Sequence, residues 1–419
     1  MYLWLIFRGI GMSIKKPELV APAGDKEKAE AAFLYGADAV YVGGREFSLR
    51  AQAGNFSDEE MEKLVAMARA KGKRVYVAVN ILAHNRDLDR LAIYLAFLRE
   101  LKVDGIILSD PGVLELARRY APEIPVTIST QASVANVLAA RFYESLGVKR
   151  IVLARELTLE ELKEIREKVK LELEVFVHGA MCVAYSGRCL LSSFMTGRSG
   201  NRGECAHPCR YRYYLREEKR PGEYFPIEED DRGTYILNSK DLCLIEYIPQ
   251  LIDIGIDAFK IEGRMKSPHY VATTVQVYRE AIEAVMEGSP GRDLDKWWEE
   301  LNKIANRPYT TGFLLGPPVA GQDVLKLSKP AAVAFCGIVR DYWPEKGLAL
   351  VEQRAPFGVG DVIEILRPGL ESLRMKLQEI LDMDLVPLER ARHAQQRVWI
   401  PVKEPVQYFN ILRRVDDRG

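Results

Sequence analysis

The sequence has no excess of either charge and no apolar run long enough to cross a membrane. Lys plus Arg and Asp plus Glu both total 59 in 419 residues, so the formal net charge is +0. A neutral chain argues neither for nor against nucleic acid as a partner, and an RNA-binding surface would have to be a local basic patch. The apolar residues 1–11 are too short to span a bilayer, and no basic segment precedes them.

The start of the chain is expected to lie outside the folded protein. A second methionine, Met12, stands directly before "SIKKPELVAPAG", where the regular pattern begins. We therefore expect residues 1–14 to be a disordered extension or the product of a mis-assigned start. We expect a cytoplasmic protein without a membrane segment.

Cysteine is scarce but concentrated. The chain has six cysteines, and four of them fall within the 36 residues from Val175 to Arg210. A disulfide framework is not indicated, because thiols stay reduced in the cytoplasm. Clustered thiolates in that compartment more often hold a metal or a cluster. Cys336 stands alone in an apolar run, where we expect a core residue.

Eight short apolar runs, each followed by an amphipathic stretch, dominate the chain up to about residue 320. They are residues 18–24, 38–44, 74–80, 105–110, 126–133, 150–156, 173–179 and 258–264. Their nearly continuous apolar character is typical of parallel strands covered on both faces. Eight strand–helix units predict a (β/α)8 TIM-like barrel over residues 15–320, with a cysteine-rich insertion at 180–257 before the last strand. Such a long insertion is usually functional.

The helices between these runs have recognisable starts. Ser57 precedes acidic residues, and Thr158 has a glutamate three positions on, the spacing of a capping box. The predicted helices cover about 25–36, 57–71, 88–102, 112–120, 135–146, 158–169 and 267–287.

The pattern changes beyond residue 320. Short β-like runs separated by turns predict a small β-barrel domain over residues 321–419. A polar segment near 369–380 is predicted to be helical.

The spacing of the clustered cysteines is Cys182-x6-Cys189-x15-Cys205-x3-Cys209, and Cys243 follows in "NSKDLC". Structural zinc sites usually use pairs two to four residues apart, which only the last pair of the cluster approaches. A [4Fe–4S] cluster takes four cysteines at spacings that depend on the fold. The spacing alone leaves a cluster, a zinc site and uncoordinated thiols open.

Several longer blocks carry a resemblance. "HGAMCVAYSGRCLLS" followed by "NRGECAHPCR", together with "LVAPAGD", "STQAS" and "KIEGRMKSPHYVA", resembles the collagenase-like peptidase family (U32-like), whose members include bacterial RNA hydroxylation proteins. The resemblance covers roughly residues 15–320. The β-rich tail resembles the C-terminal domain of the longer, tRNA-modifying branch.

The resemblance implies a function and a cofactor. It implies prephenate-dependent hydroxylation of C5 of the wobble uridine in tRNA, which gives 5-hydroxyuridine. It also implies a [4Fe–4S] cluster, supplied by the cluster-assembly machinery and held by Cys182, Cys189, Cys205 and Cys243, with Cys209 as the reserve ligand. Prephenate and tRNA would be the partners.

The C-terminal ends of the predicted strands supply the other candidate site residues, because the active sites of such barrels lie there. His178, Glu262 and Lys260 are the predicted catalytic residues, with a structural histidine and an ion pair as the alternatives. Arginine pairs with carboxylates through two hydrogen bonds, so basic residues at these ends would clamp a dicarboxylate such as prephenate. The predicted substrate-binding residues are Arg45, Arg50, Asn80, Gln131, Arg264 and Lys266.

Two segments are candidates for contact with RNA. In "CRYRYYLREEKR", residues 209–220, aromatic rings would stack on unpaired bases while arginines meet phosphates. The same alternation fits a strand with tyrosines packed inward. The C-terminal domain is the alternative RNA-binding element.

Other functions are not excluded. A peptidase lacks support because the sequence has neither an H-E-x-x-H helix nor a G-x-S-x-G elbow. A cysteine nucleophile would need one thiol near a histidine rather than five suited to coordination. Hydroxylation of ribosomal RNA or of a quinone ring, and a non-catalytic cluster-bearing scaffold that binds RNA, are the further alternatives.

Overall fold

The structure, a computed structural model of the protein, describes residues 15–49, 54–182, 184–210, 228–230, 233–235, 240–305, 307–316 and 333–415. Three predictions fall outside these residues: the N-terminal extension 1–14, Arg50, and the aromatic and basic stretch beyond Arg210. The predicted domain boundary near residue 320 also lies outside them.

The predicted barrel is confirmed. The strands of this part of the chain are β1 (Glu18–Pro22), β2 (Ala39–Gly43), β3 (Arg74–Ala78), β4 (Gly105–Leu108), β5 (Val126–Ile128), β6 (Arg150–Val152), β7 (Glu172–Ala180), β8 (Glu228–Asp230), β9 (Gly233–Tyr235), β10 (Asp241–Cys243), β11 (Ala258–Ile261) and β12 (Tyr309–Thr310). Strands β1 to β7 pair in order and in parallel, and β11 pairs in parallel with both β1 and β7, which closes an eight-stranded barrel. Strand β10 adds to β7 in the antiparallel direction, and β12 pairs with β10.

Helices surround the barrel close to where they were predicted. They are α1 (Lys26–Leu34), α2 (Asp58–Ala70), α3 (Leu88–Leu101), α4 (Pro111–Tyr120), α5 (Val137–Ser145), α6 (Leu159–Lys168), α7 (Leu191–Thr196), α8 (Ile248–Ile254), α9 (Pro268–Met286) and α10 (Leu294–Asn302). Ser57 and Thr158 each form a capping box with a glutamate at the third helical position. Among the helices of the described residues, none has the length and apolar character that spanning a bilayer requires.

The interior of the barrel contains a buried series of linked ion pairs beside its apolar side chains. Arg150 contacts Glu18 at 2.7 Å and Glu174 at 3.0 Å, and Glu174 accepts a hydrogen bond from Lys260 Nζ at 2.7 Å. Burial alone would raise the pKa of Glu174, but Lys260 and Arg150 lower it below its usual range. The series of ion pairs therefore fixes the position of the Lys260 side chain near the mouth of the barrel.

The predicted small C-terminal β domain is confirmed as an antiparallel half-barrel. Its strands are β13 (Val333–Trp343), β14 (Leu348–Gln353), β15 (Phe357–Gly358), β16 (Val362–Leu366), β17 (Leu373–Lys376), β18 (Arg390–Ala391), β19 (Arg397–Pro401) and β20 (Ile411–Val415). The main sheet has the order β17-β16-β20-β13-β14-β19. Cys336 is buried in its core, as expected.

One prediction in this domain was wrong. The segment near 369–380 contains β17 rather than a helix, and β17 pairs with β16 along four residues. Leu373 is buried while Arg374 and Lys376 are exposed, which is the two-residue period of a strand at the edge of a sheet. The polar residues that suggested a helix are the solvent face of that edge.

The C-terminal domain packs against the helical layer of the barrel. Glu27 in α1 accepts a hydrogen bond from Arg340 at 2.6 Å, and Tyr35 donates one to the carbonyl of Leu366 at 2.9 Å. On α9, the ring of His269 stacks on Phe335 with the ring centres 5.7 Å apart. The domain therefore lies on the outside of the barrel.

Candidate functional site

A cavity with about 1280 Å³ of empty space, part of it open to solvent, lies at the mouth of the barrel. Its floor is formed by side chains at the carboxyl ends of the strands: Tyr41, Asn80, Gln131, Arg155, Phe176, Lys260, Glu262 and Arg264. Its roof is formed by the insertion, with Cys182, Tyr185, Ser186, Cys189, Cys205, His207 and Cys209. This is the end of a (β/α)8 barrel at which active sites are found.

The insertion is held over the barrel by specific contacts. Gly187 has a φ of +79°, and a Cβ at this position would lie 2.6 Å from the carbonyl oxygen of Gln131. Only glycine allows both the left-handed backbone and this close approach. Farther along the insertion, Arg202 pairs with Asp87 at 2.9 Å. The roof is therefore anchored at two places on the barrel.

Four thiols line this one cavity: those of Cys182, Cys189, Cys205 and Cys209. Cys182 is exposed and the other three are half-buried. Such a set of soft ligands fits an iron–sulfur cluster or zinc. Within the described ranges, no three His, Cys, Asp or Glu side chains already stand at metal-binding separations. The fit therefore rests on the chemistry of the donors and their shared cavity.

The predicted ligand Cys243 lies elsewhere. It is buried in β10, where it stands opposite His178, and its Sγ is 3.7 Å from the hydroxyl of Tyr278. Burial raises the pKa of the Cys243 thiol to about 12, so it is protonated at neutral pH. The structure brings Cys209, the reserve ligand, together with the other three predicted ligands, and Cys243 does not reach the cavity.

His178, a predicted catalytic residue, does not line the cavity either. Its ring is buried among Tyr270, Tyr278 and Tyr309, at centre-to-centre distances of 5.3 to 5.9 Å. Burial lowers the pKa of His178 to about 3, so the ring is neutral at pH 7. These surroundings are those of a structural histidine, the alternative reading of this position.

Lys260 and Glu262 do line the cavity. The Lys260 ammonium group is held by Glu174 and lies 4.5 Å from the centre of the Tyr41 ring. The Oε2 atom of Glu262 accepts a hydrogen bond from the Tyr41 hydroxyl at 2.8 Å. Tyr41 therefore links the two predicted catalytic groups, and their catalytic roles stay predictions.

Three predicted substrate-binding residues reach the cavity. Asn80 donates to the Oε1 atom of Gln131 at 2.7 Å, so the two amides form one polar wall. Arg264 is buried and donates to the Ser48 hydroxyl at 2.8 Å.

Two further predicted residues lie away from it. Arg45 is exposed and does not line the cavity. Lys266 is also outside the lining, with its ammonium group 5.2 Å from the centre of the Tyr270 ring. Neither stands where it would clamp a ligand bound among the thiols.

The sequence reasoning missed Arg155. Its guanidinium donates to the carbonyl of Ala180 and to the Ser186 hydroxyl, each at 2.8 Å, and lies 5.1 Å from the centre of the Phe176 ring. No carboxylate of the described residues forms an ion pair with it. The adjacent Glu156 interacts with it electrostatically without forming such a pair, and Arg155 places a positive charge at the cavity. The signal was present in the sequence, because Arg155 is the next-to-last residue of the predicted strand run 150–156.

The chain was compared with known proteins. The family model described as Peptidase family U32 matches residues 24–323, and the model of the Peptidase family U32 C-terminal domain matches residues 332–413. The two matches correspond to the barrel and to the half-barrel.

Relatives match nearly the whole chain. A protein from Bacillus subtilis named tRNA hydroxylation protein P1 is 42% identical, over 98% of this chain and 97% of its own. The tRNA hydroxylation protein P of Escherichia coli is 36% identical, over 94% of this chain and 95% of its own. A protein from Porphyromonas gingivalis named collagenase is 34% identical, over 97% of this chain and 100% of its own.

Proposed function

The chain belongs to peptidase family U32, and from this membership and its thiol-lined barrel mouth we propose that the protein hydroxylates tRNA. The observation that carries the proposal is that four thiols share one cavity with Lys260, Glu262 and Arg155. Relatives that match almost the full length are named tRNA hydroxylation proteins. Redox chemistry beside a pocket with a few charged and amide groups suits a hydroxylation better than it suits peptide hydrolysis.

The proposed cofactor is a [4Fe–4S] cluster held by Cys182, Cys189, Cys205 and Cys209. A bound cluster would supply one-electron redox chemistry, or an iron for substrate binding, next to the cavity. The cysteines lie in the roof, which the close contact of Gly187 with Gln131 holds against the barrel, and the barrel supplies the floor. Because the four thiols stand on the cavity itself, a substrate in the cavity would lie directly beside the cofactor.

The proposed product is 5-hydroxyuridine at the wobble position, with prephenate as the co-substrate. Placing a hydroxyl on C5 of uracil replaces a C–H bond by a C–O bond and removes two electrons from the base, so the reaction also requires an oxygen-donating two-electron oxidant. Prephenate carries two carboxylates, and Arg155 is a cavity cation that forms no ion pair with a carboxylate of the described residues. Arg155 would bind one carboxylate through two parallel hydrogen bonds. The amide wall of Asn80 and Gln131 would meet the polar atoms of the ligand.

Arg155→Lys tests this role. It keeps a positive charge but loses the planar fork, so we expect prephenate binding to weaken about tenfold or more. Isothermal titration with prephenate measures the affinity, and the thiol content and thermal stability of the variant should match wild type. Arg45→Lys, outside the cavity, is the matched control. Equal affinities for the two variants would exclude Arg155 as the anchor.

The function itself is tested on nucleosides. In a strain that lacks the protein and any second hydroxylation route, mass spectrometry of bulk tRNA should show no 5-hydroxyuridine or its derivatives. Wild type should restore them, Cys182→Ala should not, and Cys336→Ala, which alters a buried thiol of the half-barrel, should restore them. A strain unable to make prephenate should also lack them. Unchanged tRNA would refute the proposal and direct the search to ribosomal RNA, quinone rings or a scaffold role.

A peptidase is the second candidate function, favoured by the full-length match to a protein named collagenase. Within the cavity, the Sγ of Cys205 lies 4.0 Å from Nδ1 of His207, an arrangement that suggests an activated thiol. If Cys205 is a nucleophile, its variants should behave differently from those of the other cysteines. If it is a cluster ligand, they should behave alike. Hydrolysis of gelatin abolished by Cys205→Ser, with Cys189→Ser still active, would indicate a peptidase. Equal loss of tRNA hydroxylation in both variants would indicate shared coordination.

A further inference from the structure

The roof of the cavity carries exposed apolar side chains. Phe194 is 90% exposed, Leu190 69% and Tyr185 46%. Leu190 directly precedes α7, one turn from Phe194, and Phe194 N donates to the Leu190 carbonyl at 2.9 Å, so their side chains stand on the same face. Large exposed aromatic and aliphatic groups in one short segment indicate an interaction surface.

Basic residues accompany these apolar side chains. Residues 182–210 contain four arginines and one glutamate, a local formal charge of +3 in a chain whose net charge is +0. Arg202 forms an ion pair with Asp87. The guanidinium groups of Arg188 and Arg198 form no hydrogen bond or ion pair with any residue that the structure describes. Two positive charges are therefore available to a ligand beside exposed rings.

The C-terminal domain does not have this character. Residues 333–415 contain 12 basic and 11 acidic side chains, so the half-barrel has no comparable local charge. A local basic excess together with exposed aromatic rings matches unpaired nucleotides, whose phosphates are negative and whose bases stack on rings. Arginines without ion pairs are needed to bind phosphates, whereas a protein partner could bind the apolar side chains alone.

We infer that this insertion patch, consisting of Tyr185, Arg188, Leu190, Phe194 and Arg198, binds the single-stranded loop of the RNA substrate. The inference rests on the proposed tRNA hydroxylation and adds the surface that brings the base to the cavity. Tyr185 both lines the cavity and is exposed, so it joins the patch to the site. Phe194 provides a face for one unpaired base, and the arginines contact adjacent phosphates. A base that leaves the loop passes Tyr185 to enter the cavity.

The test measures RNA affinity of the full-length protein by fluorescence anisotropy. The probes are an RNA hairpin with the sequence of an anticodon stem-loop and a fully paired duplex of the same stem. Phe194→Ala should weaken hairpin binding by about 5- to 150-fold, the range for loss of one stacked base, and leave duplex binding unchanged. Ile93→Ala, which alters a 72% exposed apolar residue on α3, is the matched control and should bind as wild type.

The arginines are tested by salt dependence. Arg188→Gln and Arg198→Gln should each reduce the slope of log affinity against log salt concentration by about 0.7, the value for one phosphate contact in a single strand. All four substituted side chains have large exposed or half-exposed surfaces, so the variants should unfold at the wild-type temperature. Unchanged slopes in both arginine variants would contradict the phosphate contacts.

The outcomes separate the patch from the function. If wild type binds the hairpin and Phe194→Ala binds it equally well, the patch is refuted while tRNA hydroxylation stands. If Phe194→Ala changes the oligomeric state but not RNA affinity, the patch is an interface with a second copy of the chain, and the inference is wrong. If the deletion strain keeps its 5-hydroxyuridine, the proposed function fails before the patch is considered.

Discussion

At the scale of single residues, the sequence motif and the structure indicate different fourth ligands. The motif indicates Cys243, whereas the structure places Cys209 beside the other three cysteines. Spacing matched Cys243 to a family pattern, but its thiol lies beside Tyr278 with its pKa raised to about 12 by burial. A ligand thiol must be deprotonated, which the apolar surroundings of Cys243 oppose. Cys209 faces the cavity with the other three cysteines.

We therefore predict that Cys209→Ala loses the cluster and Cys243→Ala keeps it. After anaerobic reconstitution, iron and acid-labile sulfide should fall in Cys209→Ala to the level of Cys182→Ala. They should stay at the wild-type level in Cys243→Ala, which should lose only about 1 kcal/mol of unfolding free energy for a small buried truncation. The reverse pattern, with iron lost in Cys243→Ala alone of the two, would restore Cys243 as the fourth ligand.

The burial of His178 away from the cavity has a physical cause in the strand pairing. Pairing of β11 with β7 shifts register between Lys260, which faces Phe176, and Ile261, which faces His178. This irregularity breaks the two-residue alternation of β7, so Phe176 lines the cavity while His178 packs among tyrosines. A bulge depends on the neighbouring strand and leaves no local signal in the sequence.

At the scale of secondary-structure elements, the sequence was sufficient to predict the strands and helices of the barrel. All eight predicted strands and the seven predicted helices are present, because apolar periodicity and capping residues such as Ser57 and Thr158 act locally. The segment near 369–380 failed because an edge strand with a polar solvent face resembles a polar helix in composition. How the insertion folds over the barrel depends on contacts between distant segments, such as Gly187 with Gln131, and could not be predicted from local pattern.

Gly187 tests how the insertion is held. Gly187→Ala places a Cβ 2.6 Å from the Gln131 carbonyl oxygen at a φ of +79°, whereas Gly197, with a φ of +70°, has nothing within 4 Å of its Cβ position. Both substitutions should cost about 1 kcal/mol for the left-handed backbone. Only Gly187→Ala should also displace the roof, seen as faster proteolysis within residues 182–210 and lower iron content. Equal behaviour of the two variants would show that the close contact does not hold the insertion.

At the scale of the whole molecule, the barrel and the half-barrel share a buried histidine. His269 in α9 stacks on Phe335 of the C-terminal domain, and burial, with Arg413 and Lys303 nearby and Glu300 opposing them, lowers its pKa to about 3. In the unfolded chain its pKa is about 6.5. Unfolding therefore takes up a proton between these values. The stability contributed by the neutral ring is complete above about pH 6.5 and is lost as the pH falls toward 3.

We predict that His269→Gln makes the protein less stable at pH 7 but less sensitive to acid. Wild type should lose up to about 1.4 kcal/mol of unfolding free energy per pH unit from this residue below pH 6.5, and the variant should not. Urea unfolding at pH 7, 6 and 5 measures the slope, and His393→Gln, which alters an exposed histidine, is the matched control. An unchanged slope in His269→Gln would mean that the ring is already protonated in the folded protein. In that case a charge next to Arg413 would have to be balanced at the domain interface, where Glu300 is the carboxylate that interacts with both.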